Sequence, residues 1–217
     1  MNKRIKAIAT LIPEQSVLAD IGTDHAYLPV LAVESGTVKK AYACDVAEGP
    51  LNQAKTTIHE KGLDARIETL LSDGFDRVPD DATCAVLAGM GYYTAVEILE
   101  RAIERLSNLE RIIVQINAEV VMLRRWISAH GWTIHEEVTV EDRGKYYTAI
   151  AFSTMPHAPY TEVECFTGAA KCERDPAARQ ASLQHRQKKI RQILSAGADP
   201  KRYEEELAAI ESQISPV

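Results

Sequence analysis

From residue 16 to about residue 153, short apolar β-rich runs bounded by turns alternate with segments of helical period. This alternation constrains the fold more than any single motif, because strand-helix-strand repeats bury their apolar faces as a mostly parallel sheet covered by helices on both sides. Ser16–Ile21 reads as a buried strand, 26–35 as a helix, 39–45 as a second strand and 50–61 as a helix that stops at Gly62. A third strand alternates over 66–71, and a fourth apolar run over 82–88 ends in Gly89-Met90-Gly91. A helix over 94–106 then carries Val96, Leu99, Ile103 and Leu106 on one stripe. A fifth strand at 111–116 and a helix at 119–129 follow. The runs 132–140 and 145–152 flank Asp142-Arg143-Gly144, a hairpin signature. The expected class is α/β, a doubly wound sheet that finishes in an antiparallel pair. Ahead of it, 1–11 reads as a leading helix with Ile5, Ile8 and Leu11 on its apolar side and Lys3, Arg4 and Lys6 on its polar side.

After Ser153 the pattern lapses. Pro156, Pro159 and Gly168 interrupt a stretch without a clear period, which reads as a linker between a domain at 1–155 and a helical segment at 156–217. In that segment Leu183, Ile190 and Ile193, then Tyr203, Leu207, Ile210 and Ile214, fall at helical spacing on either side of Gly197 and Asp199-Pro200. Gly197 is suited to stop one helix, and Asp199 with Pro200 to cap and start the next, so an antiparallel coiled-coil-like hairpin is expected. The length of 217 residues suits one α/β domain plus this appendage.

With 46% of residues apolar and 26% charged, the chain has a globular composition. It has no apolar run long enough for a membrane helix. Four scattered cysteines without CxxC pairs signal neither a zinc site nor disulfides, and fit a reducing cytoplasm. The net charge of −6 speaks against nucleic acid only as an average: 171–202 holds nine basic and three acidic residues, a local +6 that leaves −12 for the remainder. Arg186, Lys188, Lys189 and Arg191 are candidate phosphate contacts there, with a solvated helix face as the other reading.

The chemistry concentrates at strand ends, where doubly wound sheets bind ligands. Asp20-Ile21-Gly22-Thr23-Asp24-His25 joins the first strand to its helix, and Gly22 permits close approach of backbone to a ligand. The GxGxxG fingerprint is absent. Carboxylates at Asp20 and Asp24 would repel a pyrophosphate and suit a cofactor bearing ammonium and sulfonium groups, although Asp24 alone could be a helix cap. Asp45, with Val46 beside it, ends the second strand where an acidic side chain accepts both ribose hydroxyls. Asp73-Gly74 and Ala88-Gly89-Met90 end the next two strands. There Asp73 could accept from an adenine amino group, and Met90 offers an adaptable apolar contact. His25 could orient the cofactor or serve the turn.

The stretches Leu18 to Pro29 (LADIGTDHAYLP), Glu48-Gly49-Pro50, Ser72-Asp73-Gly74, 87–91 (LAGMG), 114–117 (VQIN), Leu123-Arg124-Arg125-Trp126 and Gly144-Lys145-Tyr146-Tyr147 together resemble the bacterial tRNA adenine-22 N1-methyltransferases over roughly residues 1–153. The resemblance implies a Rossmann-like class I methyltransferase sheet, a C-terminal α-helical hairpin, S-adenosyl-L-methionine as cofactor and tRNA as partner. It places Asp20, Gly22, Thr23, Asp24, His25, Asp45, Val46, Asp73, Gly74, Ala88, Gly89 and Met90 around the cofactor. Asn117 joins Met90 and Tyr92 near the substrate. The resemblance further implies methyl transfer to an adenine N1, which needs positioning rather than a general base, so Asp24 is expected to accept from the N6 amino group, with Tyr27 or Tyr92 stacking on the ring and Tyr27, Met90, Tyr92 and Tyr93 as the available wall for a base taken out of its stack. The chain departs from the family at Tyr92, where a further glycine is usual, at Ile116, where a proline is usual, and in a shorter tail. A methyltransferase with another acceptor, and a cofactor- or RNA-binding relative without catalysis, are the alternative classes.

Overall fold

The computed structural model describes residues 2–214. Residue 1 and residues 215–217, at the outer ends of the expected leading helix and helical segment, lie outside the described residues. The elements are α1 (Lys3–Ala9), β1 (Ser16–Ile21), α2 (Tyr27–Glu34), β2 (Val38–Asp45), α3 (Glu48–Glu60), β3 (Ile67–Leu71), β4 (Cys84–Met90), α4 (Tyr92–Arg101), α5 (Ile103–Leu106), β5 (Arg111–Ile116) and α6 (Val120–Ala129). They continue with β6 (Trp132–Asp142), β7 (Lys145–Pro156), α7 (Glu162–Thr167), α8 (Pro176–Ser195) and α9 (Glu204–Gln213). The seven strands form one sheet in the order β3-β2-β1-β4-β5-β7-β6. Pairing is parallel from β3 through β5 and antiparallel where β7 meets β5 and β6. Strand order reverses between β1 and β4, and a ligand crevice belongs at the carboxyl ends of those strands.

Two apolar layers hold the helices to the sheet. On one face Ile8, Leu11 and Ile12 from α1 and the loop after it join Leu28, Val30 and Val33 of α2 and Ala54 and Ile58 of α3. On the other face Ala95 and Leu99 of α4, Leu106 of α5, and Leu123, Trp126 and Ile127 of α6 pack together. The central strands are apolar on both faces, as parallel strands covered by helices must be. The β6–β7 connection is a two-residue turn in which Arg143 and Gly144 take φ of 54° and 76°, the positive values that favour a tight hairpin.

The structure corrects three local expectations. The single helix expected over 94–106 starts at Tyr92 and breaks at Ala102 (φ −104°, ψ 13°), and no glycine or proline in the sequence marks that break. The expected linker holds α7, capped by a reciprocal Thr161–Glu164 box, and a short 3-10 turn at Ala170–Cys172. Its residues Tyr160, Cys165, Ala169 and Cys172 belong to the apolar layer under the sheet, and the Thr-x-x-Glu signature of the box is readable in the sequence. Asp199 does cap a proline-led turn, but that turn is the 3-10 segment Pro200–Arg202, and α9 begins only at Glu204. The hairpin itself forms: α8 and α9 enclose their own small core of Leu183, Ile190 and Ile210. Among the described residues no helix is long and apolar enough to cross a membrane.

Candidate active site

The turn after β1 is built on backbone geometry that side chains disfavour. Gly22 has φ +79°, and a Cβ there would come within 3.3 Å of Met90 Cε. His25 and Ala26 follow with φ of 56° and 54°, left-handed values that cost energy for residues other than glycine and gather at functional sites. Gly22 N and Thr23 N both donate to the Cys44 carbonyl, at 2.9 and 2.8 Å, which ties the turn to β2. The outcome is a short exposed shelf. Asp24 leads it with its side chain 83% exposed and Oδ1 3.2 Å from His25 Nε2, and the His25 ring stacks on Tyr27 at 5.2 Å between centroids. Asp24 does not cap α2, whose N-cap position is Ala26 without a side-chain bond.

Asp20 sits at the other extreme, at 6% exposure. Burial pushes its carboxyl up to about 6, and the carboxylates of Asp45 and Asp24 add to the rise. Thr23 Oγ1 is buried and meets no partner in hydrogen-bonding geometry among the described residues. An orphaned hydroxyl beside a carboxyl that resists ionisation marks a place prepared for a polar, positively charged guest. Since the folded value lies above the unfolded value near 4, Asp20 favours the fold at low pH, and that contribution is lost as pH rises through about 6. Asp20→Asn is therefore expected to raise stability at pH 8 by on the order of 2 kcal/mol and to flatten the pH dependence between 4 and 6. Urea midpoints across that window measure it, and an unchanged profile would show that Asp20 does not titrate there.

The remaining strand ends are uneven in what they offer. Asp45 spends Oδ1 on Ala47 N at 2.9 Å and, among the described residues, keeps its other oxygen free of protein partners, while Val46 is largely exposed beside it. Asp73 is bound on both oxygens by Arg101, at 2.7 and 2.9 Å. Arg101 holds its carboxyl below the usual range. The free adenine acceptor expected there is thus an ion-paired carboxylate. Gly74 has no room for a side chain, because a Cβ would stand 2.9 Å from Ile98 Cγ2. At the end of β4 the pairing register slips between Ala88 and Met90, so that Gly89, at φ +81°, forms a bulge at the strand end. Tyr92 opens α4, half-buried and edge-on to the exposed Tyr93.

Asn117, expected near substrate, uses its amide internally: Nδ2 donates to Gly89 O at 2.7 Å and Oδ1 accepts from Arg4 Nη1 at 3.4 Å. A cleft of about 500 Å³ runs from Asn117 and Glu119 past Tyr146 and Tyr147 to Arg186 and Lys189 on α8. Lys188 and Arg191 line a different depression, as residues out of step with the 186/189 face of a helix must. The +6 of 171–202 is also offset by its neighbour, since extending the count to 214 gives nine basic against seven acidic residues, a net +2. Arg186 is bound by Glu206 at 2.6 and 2.8 Å, and Arg191 by Glu211 at 2.9 Å. Of the four expected contacts, Lys188 and Lys189 keep free ammonium groups among the described residues.

A family described as "Methyltransferase domain" matches residues 1–150. The tRNA (adenine(22)-N(1))-methyltransferase of Bacillus subtilis is 34% identical over 151 residues, which make up 69% of this chain and 63% of that enzyme, so the match spans somewhat less than two thirds of that relative. A putative tRNA methyltransferase of Mycoplasma pneumoniae is 32% identical over 70% of each chain. A solved structure of a putative tRNA (m1A22) methyltransferase from Streptococcus pneumoniae, in complex with S-adenosyl-L-methionine, superposes with a TM-score of 0.87 at 29% identity, covering 99% of this chain and 100% of that one. With the strand order, the glycine turn and the carboxylates at the switch point already in place, these likenesses settle the affiliation: the chain belongs to the methyltransferase-domain family, with tRNA methyltransferases among its relatives.

Proposed function

We infer that this chain is an S-adenosyl-L-methionine-dependent tRNA methyltransferase that acts on N1 of adenine 22. The observation that carries the reading is the crevice at the β1–β4 switch point. There a glycine turn, an orphaned Thr23 hydroxyl and the carboxylates of Asp20 and Asp45 fit a cationic nucleoside cofactor and oppose a dinucleotide. When bound, the cofactor supplies an electrophilic methyl group on a sulfonium.

Each residue then has a physical task. Gly22 leaves the backbone open, and Thr23 and Asp20 complete a polar floor. Asp45 accepts ribose hydroxyls with its unspent oxygen, Val46 covers the sugar edge, and Gly74, Ala88 and Gly89 keep the walls thin. Asp73 reaches an adenine amino group only if its pair with Arg101 opens. Met90, packed against Gly22, forms the apolar contact between cofactor and base. On the rim, Asp24 accepts from the N6 amino group of the target adenine, held in place by His25, while Tyr27 and Tyr92 cover the ring after it leaves its stack. Within the segment expected at 156–217, α8 and α9 serve as the arm that positions RNA, since 160–172 packs under the sheet. The cleft from Asn117 to Lys189 gives a strand a path between arm and crevice, and Lys188 and Lys189 carry the charge that phosphates meet.

Incubation with labelled S-adenosyl-L-methionine and two tRNA transcripts, one with A22 and one with G22, tests the function. Label is expected in the A22 transcript alone and as 1-methyladenosine after digestion. Equal labelling of both, or of neither, would overturn the assignment.

A further inference from the structure

The crevice is acidic, with Asp20, Asp24 and Asp45 around the Gly22 turn. The cofactor assigned to it carries an α-carboxylate besides its ammonium and sulfonium. A carboxylate placed among three others is unfavourable unless a cation meets it. Two guanidinium groups near the sheet's carboxyl end are already committed, Arg101 to Asp73 and Arg124 to Glu137.

Arg4 is not. The sequence places it on the polar side of α1, yet Ile8, Leu11 and Ile12 pin α1 and its following turn across the sheet so that the first helical turn reaches the ends of β4 and β5. There Arg4 Nη1 donates to Asn117 Oδ1 at 3.4 Å, and its Cζ lies 5.3 Å from the centre of the Tyr147 ring. A Cβ built on Gly89 would lie 3.7 Å from Arg4 Nη2. Asn117 is itself anchored by its bond to Gly89 O. Gly89 adjoins Met90, whose methyl packs at Gly22, so the guanidinium stands on the rim of the same crevice. Among the described residues no carboxylate pairs with it in a salt bridge.

We propose that Arg4 is the anchor for the cofactor's α-carboxylate, with Asn117 and Tyr147 positioning its guanidinium. The crevice then carries one fixed cation opposite its carboxylates, matching the zwitterionic amino-acid end of the cofactor. This also gives the closed bonds of Asn117 a purpose, since an amide spent on Gly89 and Arg4 orients the residue that touches the ligand. The proposal rests on the cofactor reading above.

Calorimetric binding of S-adenosyl-L-methionine and of its decarboxylated form to the full chain tests it without any turnover. The wild-type chain is expected to prefer the carboxylated ligand by roughly 10–100-fold, the range of a charge-assisted hydrogen-bonded pair. Arg4→Gln is expected to lose most of that preference by weakening S-adenosyl-L-methionine alone, with the decarboxylated ligand unchanged within about twofold. Arg4→Lys should keep part of the preference. Asn117→Ala, with Arg4 intact, should lose part of it. If Arg4→Gln weakens both ligands equally, Arg4 only shapes the crevice and the proposal falls. It also falls if neither ligand weakens, or if tRNA affinity drops while cofactor affinity stays, which would make Arg4 a phosphate contact. A wild-type chain that binds neither ligand overturns the cofactor reading itself, and this proposal with it.

Discussion

Asp24→Ala is expected to lower kcat by roughly 10²–10³-fold, the loss typical when one preorganised electrostatic contact to a transition state is removed. The Kd for S-adenosyl-L-methionine should stay within about threefold of wild type. The reason lies in where charge develops. Methylation at N1 turns a neutral adenine into a cation, the N6 amino group shares that charge, and a carboxylate accepting from it is favoured more in the transition state than in the bound substrate. Asp24 is 83% exposed and 3.2 Å from His25 Nε2, so water screens it until a base covers the shelf and strengthens the contact. Asp24→Asn keeps an acceptor oxygen without the charge and should fall between wild type and alanine. Single-turnover rates at saturating cofactor and tRNA, with cofactor binding measured separately, decide the matter. Turnover within twofold of wild type for Asp24→Ala would remove Asp24 from the chemistry, and a matching collapse of cofactor affinity would reassign it to the cofactor.

The second large effect is on stability. Arg124→Met is expected to destabilise the fold by about 3–5 kcal/mol, because it strands Glu137 as a buried charge. For a chain of this size that corresponds to a melting temperature lower by roughly 6–20 °C. Arg124 on α6 binds Glu137 of β6 through Nε at 2.9 Å and Nη2 at 2.6 Å, and Nη1 donates to the Cys165 carbonyl at 3.1 Å. Both side chains are almost fully buried. The pair joins α6, the antiparallel edge of the sheet and the end of α7 in one polar knot. Gly168 closes over it so tightly that a Cβ would stand 2.9 Å from Glu137 Oε2. The double variant Arg124→Met with Glu137→Leu should recover much of the loss, since apolar residues of similar volume replace buried ion pairs at little cost. Thermal melts of the single and double variants measure this. A single-variant loss below about 1 kcal/mol would overturn the view that the pair locks α6 to the sheet.

Much of the fold is legible along the chain, for local reasons. Parallel strands covered on both faces must be continuous apolar runs, and the helices between them must carry one apolar stripe, so Ser16–Ile21, Arg111–Ile116 and their neighbours declare themselves by period. Gly22 and Gly89 are readable too, since turns that leave a strand end toward a ligand need left-handed backbone. The missed α7 was also within reach, because Thr161 and Glu164 form a capping box at the expected spacing. The break at Ala102 was not, as nothing in its local residue types disfavours a helix.

Partnerships between distant residues escape periodicity altogether. Charge counting marks Arg186 and Arg191 as free cations, and only the antiparallel return of α9 shows them bound to Glu206 and Glu211. Asp73 offers an acceptor in the sequence and holds Arg101 in the structure. Arg4 lies on the polar side of a short leading helix, and the packing of α1 across the sheet carries it to Asn117, 113 residues away. The amino-acid sequence by itself determined the α/β class, the crevice at the first strand end and its acidic character, because each follows from backbone preference and residue chemistry within a few positions. The tertiary structure alone decided which charges remain available to a ligand, because a charge is free or spent according to what the folded chain places within about 4 Å of it.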